Sequence, residues 1–95
     1  MPENPVAIRV VVRGHVQGVG YRDYVETRAN FLRLAGSVRN LPDGRSVEVI
    51  AEGSRESLNQ LIGHLREGPR TSRVDAVDAE WRKATGEYRG FGAIS

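Results

Sequence analysis

The sequence predicts an α+β fold: a mainly antiparallel sheet with two helices on one face, in the order βαββαβ with a short extra strand at the end. Three observations predict it. β-Branched residues alternate with period two in Val6–Arg13 and Ser46–Glu52. Two other stretches switch to the helical period, each with one apolar stripe. A Pro42-Asp43-Gly44 turn joins two of the strand-like segments. A sheet with one apolar face and two striped helices solve each other's burial problem as two packed layers.

In the first strand, Val6, Ile8, Val10 and Val12 share one face, with Arg9 and Arg13 on the other. Three glycines follow in Gly14–Gly20. A helix is expected over Tyr21–Leu34, with Tyr21, Val25, Ala29 and Leu32 on its stripe. Gly36–Asn40 reads as a second strand. Pro42 presets φ and Gly44 accepts positive φ, so the turn makes a hairpin with the third strand, Ser46–Glu52. Its Val47, Val49 and Ala51 oppose Glu48, Ile50 and Glu52. Ser54 is the expected N-cap of a second helix striped by Leu58, Leu61, Ile62 and Leu65 and closed by Gly68-Pro69. Arg73–Arg82 is a strand by composition, its Val74 and Ala76 opposite Asp75, Val77 and Trp81. A short strand around Gly90–Ile94 follows the Thr85-Gly86 turn. This order matches the ferredoxin-like arrangement, in a single domain over 1–95.

Composition removes whole classes of function. The 95 residues include no cysteine, which excludes disulfides, zinc-thiolate sites and thiol nucleophiles. Only His15 and His64 offer imidazole. Asp23 and Glu26 lack a third ligand and read as partners of a helix dipole, so no metal is expected. No apolar run approaches the ~20 residues of a membrane span, and the start lacks a signal-peptide pattern, so a cytoplasmic location is expected. The net charge of +2 is too small to argue for nucleic acid. Of 14 basic residues 13 are Arg, a bias that suits anion recognition but that codon usage explains at least as well.

The informative stretch is Arg13-Gly14-His15-Val16-Gln17-Gly18-Val19-Gly20-Tyr21-Arg22, between a strand and a helix. Its glycines let successive N–H groups point into one concavity, and the helix that follows adds free N–H groups and a positive dipole end. An anion fits there. The spacing is neither a Walker A loop nor a dinucleotide fingerprint. A tight strand-to-helix connection without a ligand is the plain alternative; Arg22 at the loop's exit shifts the balance toward an anion.

GHVQGVGYR, followed in order by Gly36-Ser37-Val38-Arg39-Asn40, Asp43-Gly44, Val47-Glu48, Glu52-Gly53 and Gly68-Pro69, resembles the acylphosphatase family over nearly the whole chain. The resemblance implies a small, cytoplasmic, cofactor-free hydrolase of ferredoxin-like fold that cleaves acyl phosphates to a carboxylate and inorganic phosphate. It places a phosphate-binding loop on His15, Val16, Gln17, Gly18, Val19, Gly20 and Tyr21. It further makes Arg22 the phosphate-binding arginine and Asn40 the residue that orients the attacking water. The chain departs from the family at Tyr21, where Phe is usual, at Ser37, often a large aromatic, and at Arg33, often glycine. Its turn at Arg45-Ser46 is also one residue longer.

This chemistry suits these residues. A carboxylate leaves without a proton from a general acid, so phosphoryl transfer needs mainly positioning and charge stabilisation, which backbone N–H groups and one guanidinium supply. Arg22 could instead pair with Asp23 or Glu26 on the surface, and Asn40 could simply end a strand. The His15 imidazole reads as incidental to its backbone position, His64 as solvated, and Trp81 and Tyr88 as packing residues. The partners expected are a small acyl phosphate and inorganic phosphate, with no nucleic acid and no membrane, bound by a monomer. An RNA-binding module shares this element order, but the strands that would read bases carry no aromatic residue. A domain that binds carboxyl-phosphate compounds without turnover is the other alternative.

Overall fold

The computed structural model describes residues 4–94, so the outermost parts of the expected 1–95 domain, including the first residues of the segment read for a signal peptide, lie outside the described residues. The elements are β1 (Val6–His15), α1 (Tyr21–Phe31), β2 (Ala35–Asn40), β3 (Ser46–Gly53), α2 (Arg55–Glu67), β4 (Arg73–Lys83) and β5 (Phe91–Ile94). One sheet runs in the order β4-β1-β3-β2-β5. Neighbours are antiparallel except β2 and β5, which are parallel. This is the ferredoxin-like α+β arrangement.

The core lies between the sheet and the helices. Ile8, Val10 and Val12 of β1 and Val47, Val49 and Ala51 of β3 are fully buried with Val25 and Ala29 of α1 and Leu58, Leu61 and Leu65 of α2. Each of the buried Val, Ile and Leu side chains contributes roughly 1.5–3 kcal/mol. The opposite face is charged: Glu48 accepts from Arg9 Nε at 2.8 Å and from Arg39 Nε at 2.7 Å, joining β1, β3 and β2. Burial pushes the Glu48 carboxyl up, but the two guanidinium groups outweigh it and hold it below the usual carboxylate range.

α1 ends at Phe31, three residues before the expected end at Leu34. After Leu32, Arg33 takes φ 59°. Leu34 N–H donates to the Ala29 carbonyl at 2.9 Å and Arg33 N–H to Asn30 at 3.0 Å. These are the paired bonds of a Schellman motif, which satisfy carbonyls that the helix leaves open. The turn swings Leu34 back into the core, 3% exposed, so Leu34 is buried through a C-terminal cap and not through a further helical turn.

β4 departs from simple alternation. Its register with β1 shifts between Arg13, opposite Ala76, and Gly14, opposite Val74, leaving Asp75 as an extra residue. That bulge changes the phase, so Val74 and Val77 both pack against the core. Beyond them, Trp81 is 39% exposed, with the Arg55 guanidinium 4.6 Å above its ring. It packs at a sheet edge instead of in the interior. Gly14, at φ 144°, permits the bulge: a Cβ there would lie 2.1 Å from the Arg73 carbonyl oxygen.

At the end of the sheet where β3 finishes, Glu52 is buried and accepts from Thr85 N–H at 2.8 Å, the Thr85 hydroxyl at 2.9 Å and Gly86 N–H at 3.0 Å. The link from β4 to β5 is thereby tied to the sheet. Burial pushes this carboxyl up as well, yet the hydrogen bonds keep it below the usual range.

Candidate active site

The segment between β1 and α1 is fixed from three sides. The Gln17 amide donates from Nε2 to the carbonyls of Leu41 and Ser46, both at 2.8 Å, stapling the loop to the β2–β3 turn. The Thr71 hydroxyl donates to the Val19 carbonyl at 2.6 Å. Val16 is buried and Val19 packs against the core. The Val16, Gln17 and Val19 side chains and the Val19 carbonyl are thus engaged with the protein. The turn that receives Gln17 is itself held, because Asp43 Oδ1 accepts from the N–H groups of Arg45 and Ser46, both at 2.8 Å.

The two helices begin differently. Ser54 caps α2, its hydroxyl accepting from Ser57 N–H at 3.1 Å. The N-cap of α1 is Gly20, at φ 81°, with no side chain to accept. The first N–H groups of α1 are therefore left for an external acceptor, at the positive end of the helix dipole. Only glycine adopts this left-handed geometry without steric cost.

Around this terminus lies a concavity of about 290 Å³, lined by Val16, Gly18, Gly20, Tyr21, Arg22, Asp23, Asn40 and Ala93. The structure thus brings Arg22 and Asn40 together, one from the first turn of α1 and one from the end of β2. Arg22 NH1 makes a long contact, 3.4 Å, to the Ile94 carbonyl. Among the described residues it joins no ion pair, so the pairing with Asp23 or Glu26 does not form. A guanidinium has five N–H donors, and most of these remain for a ligand. Asn40 Oδ1 is buried and, among the described residues, accepts no hydrogen bond. Burying an acceptor without a donor is costly, and such a cost is tolerated where the group serves a ligand.

Not every residue of the expected loop faces the concavity. His15 is exposed at the end of β1, opposite Arg73, and Gln17 and Val19 serve as anchors. The Tyr21 ring enters the core, where its hydroxyl donates to the Leu65 carbonyl at 2.8 Å. Burial, with neighbouring Tyr24 adding to it, pushes this phenol well above the ordinary tyrosine range. Tyr24 donates in the same way to the His64 carbonyl at 2.9 Å, so two tyrosines of α1 hold the last turn of α2. Reading the sequence missed Ala93 and Asp23 as lining residues. Ala93 has no chemical signature, and only the parallel pairing of β5 beside β2 brings it close.

The chain is similar to known proteins over most of its length. The acylphosphatase family model matches residues 8–93. An acylphosphatase of Thermus thermophilus is 49% identical over 81 residues, covering 85% of this chain and 90% of that protein. The crystal structure of the Bacillus subtilis acylphosphatase superposes with a TM-score of 0.90 at 32% identity, covering 95% of this chain and 99% of that one. An acylphosphatase structure from Coxiella burnetii gives 0.87 at 37% identity, covering 96% and 94%.

Proposed function

Because the chain belongs to the acylphosphatase family and hydrolyses acyl phosphates, we propose that Arg22 and the His15–Tyr21 loop hold the phosphoryl group while Asn40 orients the water that attacks it. The observation that carries this reading is the meeting of Arg22, Asn40 and the uncapped start of α1 in one concavity.

The N–H groups and the guanidinium supply donors where charge spreads over the phosphoryl oxygens. The guanidinium fork grips two oxygens at once. Asn40 offers an amide oxygen to a water proton and holds that water in line with the bond that breaks. The water oxygen bonds to phosphorus, and the carboxyl–phosphorus bond breaks with its electron pair leaving on the carboxylate. The water's proton passes to the phosphate itself. The carboxylate is a weak base and needs no general acid, so the step proceeds by direct attack with no metal and no covalent intermediate.

The reading extends to a single domain over 1–95 that acts as a monomer in the cytoplasm, with a small acyl phosphate and inorganic phosphate as its partners and neither nucleic acid nor membrane. The cysteine-free composition supports a reducing compartment, since small secreted domains usually carry disulfides.

Hydrolysis of benzoyl phosphate and p-nitrophenyl phosphate by the same preparation tests the mechanism, with Arg22→Ala as the contamination control. Benzoyl phosphate is expected to be favoured by several orders of magnitude, inorganic phosphate to inhibit competitively, and EDTA to have no effect. Comparable rates on both substrates, or activity lost to EDTA and restored by a divalent ion, would contradict it.

A further inference from the structure

The concavity has an asymmetry of charge that phosphate binding does not use. Of its lining residues only Arg22 and Asp23 carry charge. The guanidinium is committed to the phosphoryl oxygens, which leaves the carboxylate to face whatever else enters. Asp23 is exposed and, among the described residues, joins no ion pair that would neutralise it. It stands at the third helical position after Gly20, and helical side chains lean toward the N-terminus, here toward the mouth of the concavity. The helix dipole favours a carboxylate at this position.

We propose that Asp23 determines the charge class of the acyl group, turning away acyl phosphates whose acyl part bears a carboxylate and admitting those with an uncharged one. This inference rests on the concavity being the acyl phosphate site. Two carboxylates held roughly 6–8 Å apart in half-solvated surroundings repel enough to change a rate constant by about threefold to tenfold, less in high salt. The remaining lining, with Val16 and Ala93 beside the backbone, supplies no second cation to offset that repulsion.

Butyryl phosphate and succinyl phosphate test it, because they differ chiefly in a terminal methyl or carboxylate. The kcat/KM for each is measured with the wild type, Asp23→Asn and Asp23→Ala, in low and high salt. Both variants are expected to raise succinyl relative to butyryl phosphate by about threefold to tenfold. The ratio should rise with salt in the wild type and stay flat in the variants. An unmoved ratio in both variants overturns the proposal. A parallel change on both substrates does so as well, because a weakened helix terminus or a changed phosphate affinity acts on them equally. If the wild type hydrolyses neither compound while benzoyl phosphate is also untouched, the acyl phosphate reading of the site fails first, and the proposal with it.

Discussion

The two ends of the sheet treat their polar groups in opposite ways. Where β3 finishes, Glu52 is surrounded by three donors from Thr85 and Gly86, and its carboxylate is saturated. At the other end, Asn40 Oδ1 accepts nothing among the described residues, α1 begins without a side-chain cap, and Arg22 makes one long contact. The saturated end fixes a loop. The unsaturated end keeps hydrogen-bonding capacity in place for a ligand, and it can do so because Gln17, Thr71 and Asp43 spend theirs on holding the surrounding backbone. A binding site of this kind is defined as much by which groups are left without partners as by which are present.

Substitutions on the two sides should break this contrast in different currencies, the largest effect coming at the open end. Arg22→Ala and Arg22→Lys are expected to lower kcat/KM for benzoyl phosphate by ~10²-fold or more with little change in Tm, since Lys keeps the charge but not the fork. Retention of half the activity by either variant would remove Arg22 from the site. Asn40→Ala should reduce kcat at least ~10-fold while leaving inorganic phosphate affinity, read by calorimetry, nearly unchanged. Loss of affinity with turnover intact would reverse its role.

At the saturated end the loss should appear as stability. Glu52→Ala leaves the Thr85 and Gly86 N–H groups without their acceptor and should cost about 1–3 kcal/mol in a urea titration, with kcat/KM at 25 °C retained. The same carboxyl carries a pH signature. It is held below the usual range in the folded protein, so its contribution is complete above the ordinary Glu range. That contribution disappears as the pH falls below the ordinary Glu range and through the lower folded value. Glu52→Gln should therefore flatten the fall of stability below that range; an acid-unfolding curve that overlays the wild type would discount the assignment.

The smallest effect is expected at Arg33, whose left-handed φ suits glycine. Arg33→Gly relieves that strain but loosens the unfolded chain, for a net gain of about 0.5 kcal/mol, or a Tm rise of a few degrees, with activity unaltered.

What the sequence made legible follows from how local each signal is. The βαββαβ order, the Ser54 cap and the Pro42-Asp43-Gly44 turn rest on neighbouring residues, and each appears where expected. Arg22 and Asn40 were legible through a motif and not through geometry, and the fold brings both to one concavity. The misses are of another kind. Leu34 was expected to end the helix, yet the chain turns at Arg33 and Leu34 reaches the core by a different route. The bulge at Asp75 exists only in the pairing of β4 with β1, so no pattern within β4 reveals it. Glu52 reads as one of three alternating residues on a solvent face, and its partners come 33 and 34 positions later. Gln17 sits inside a binding motif, but its amide serves the scaffold.

The place of β1 in the sheet also bears on how fast the chain reaches this state. β1 comes first among the described elements and lies between two partners that come much later in the chain: Val6 pairs with Gly53 on one side and with Lys83 on the other. Long loops must close before either ladder yields hydrogen bonds, and the entropy of closure is lost before those contacts return it. Most of the sheet is non-local in this sense, and chains of such topology fold in roughly milliseconds to seconds, against microseconds for helical bundles of similar length. During that interval the apolar faces of β1 and β3 are exposed, so refolding yield should fall as protein concentration rises even though the folded enzyme keeps those faces covered.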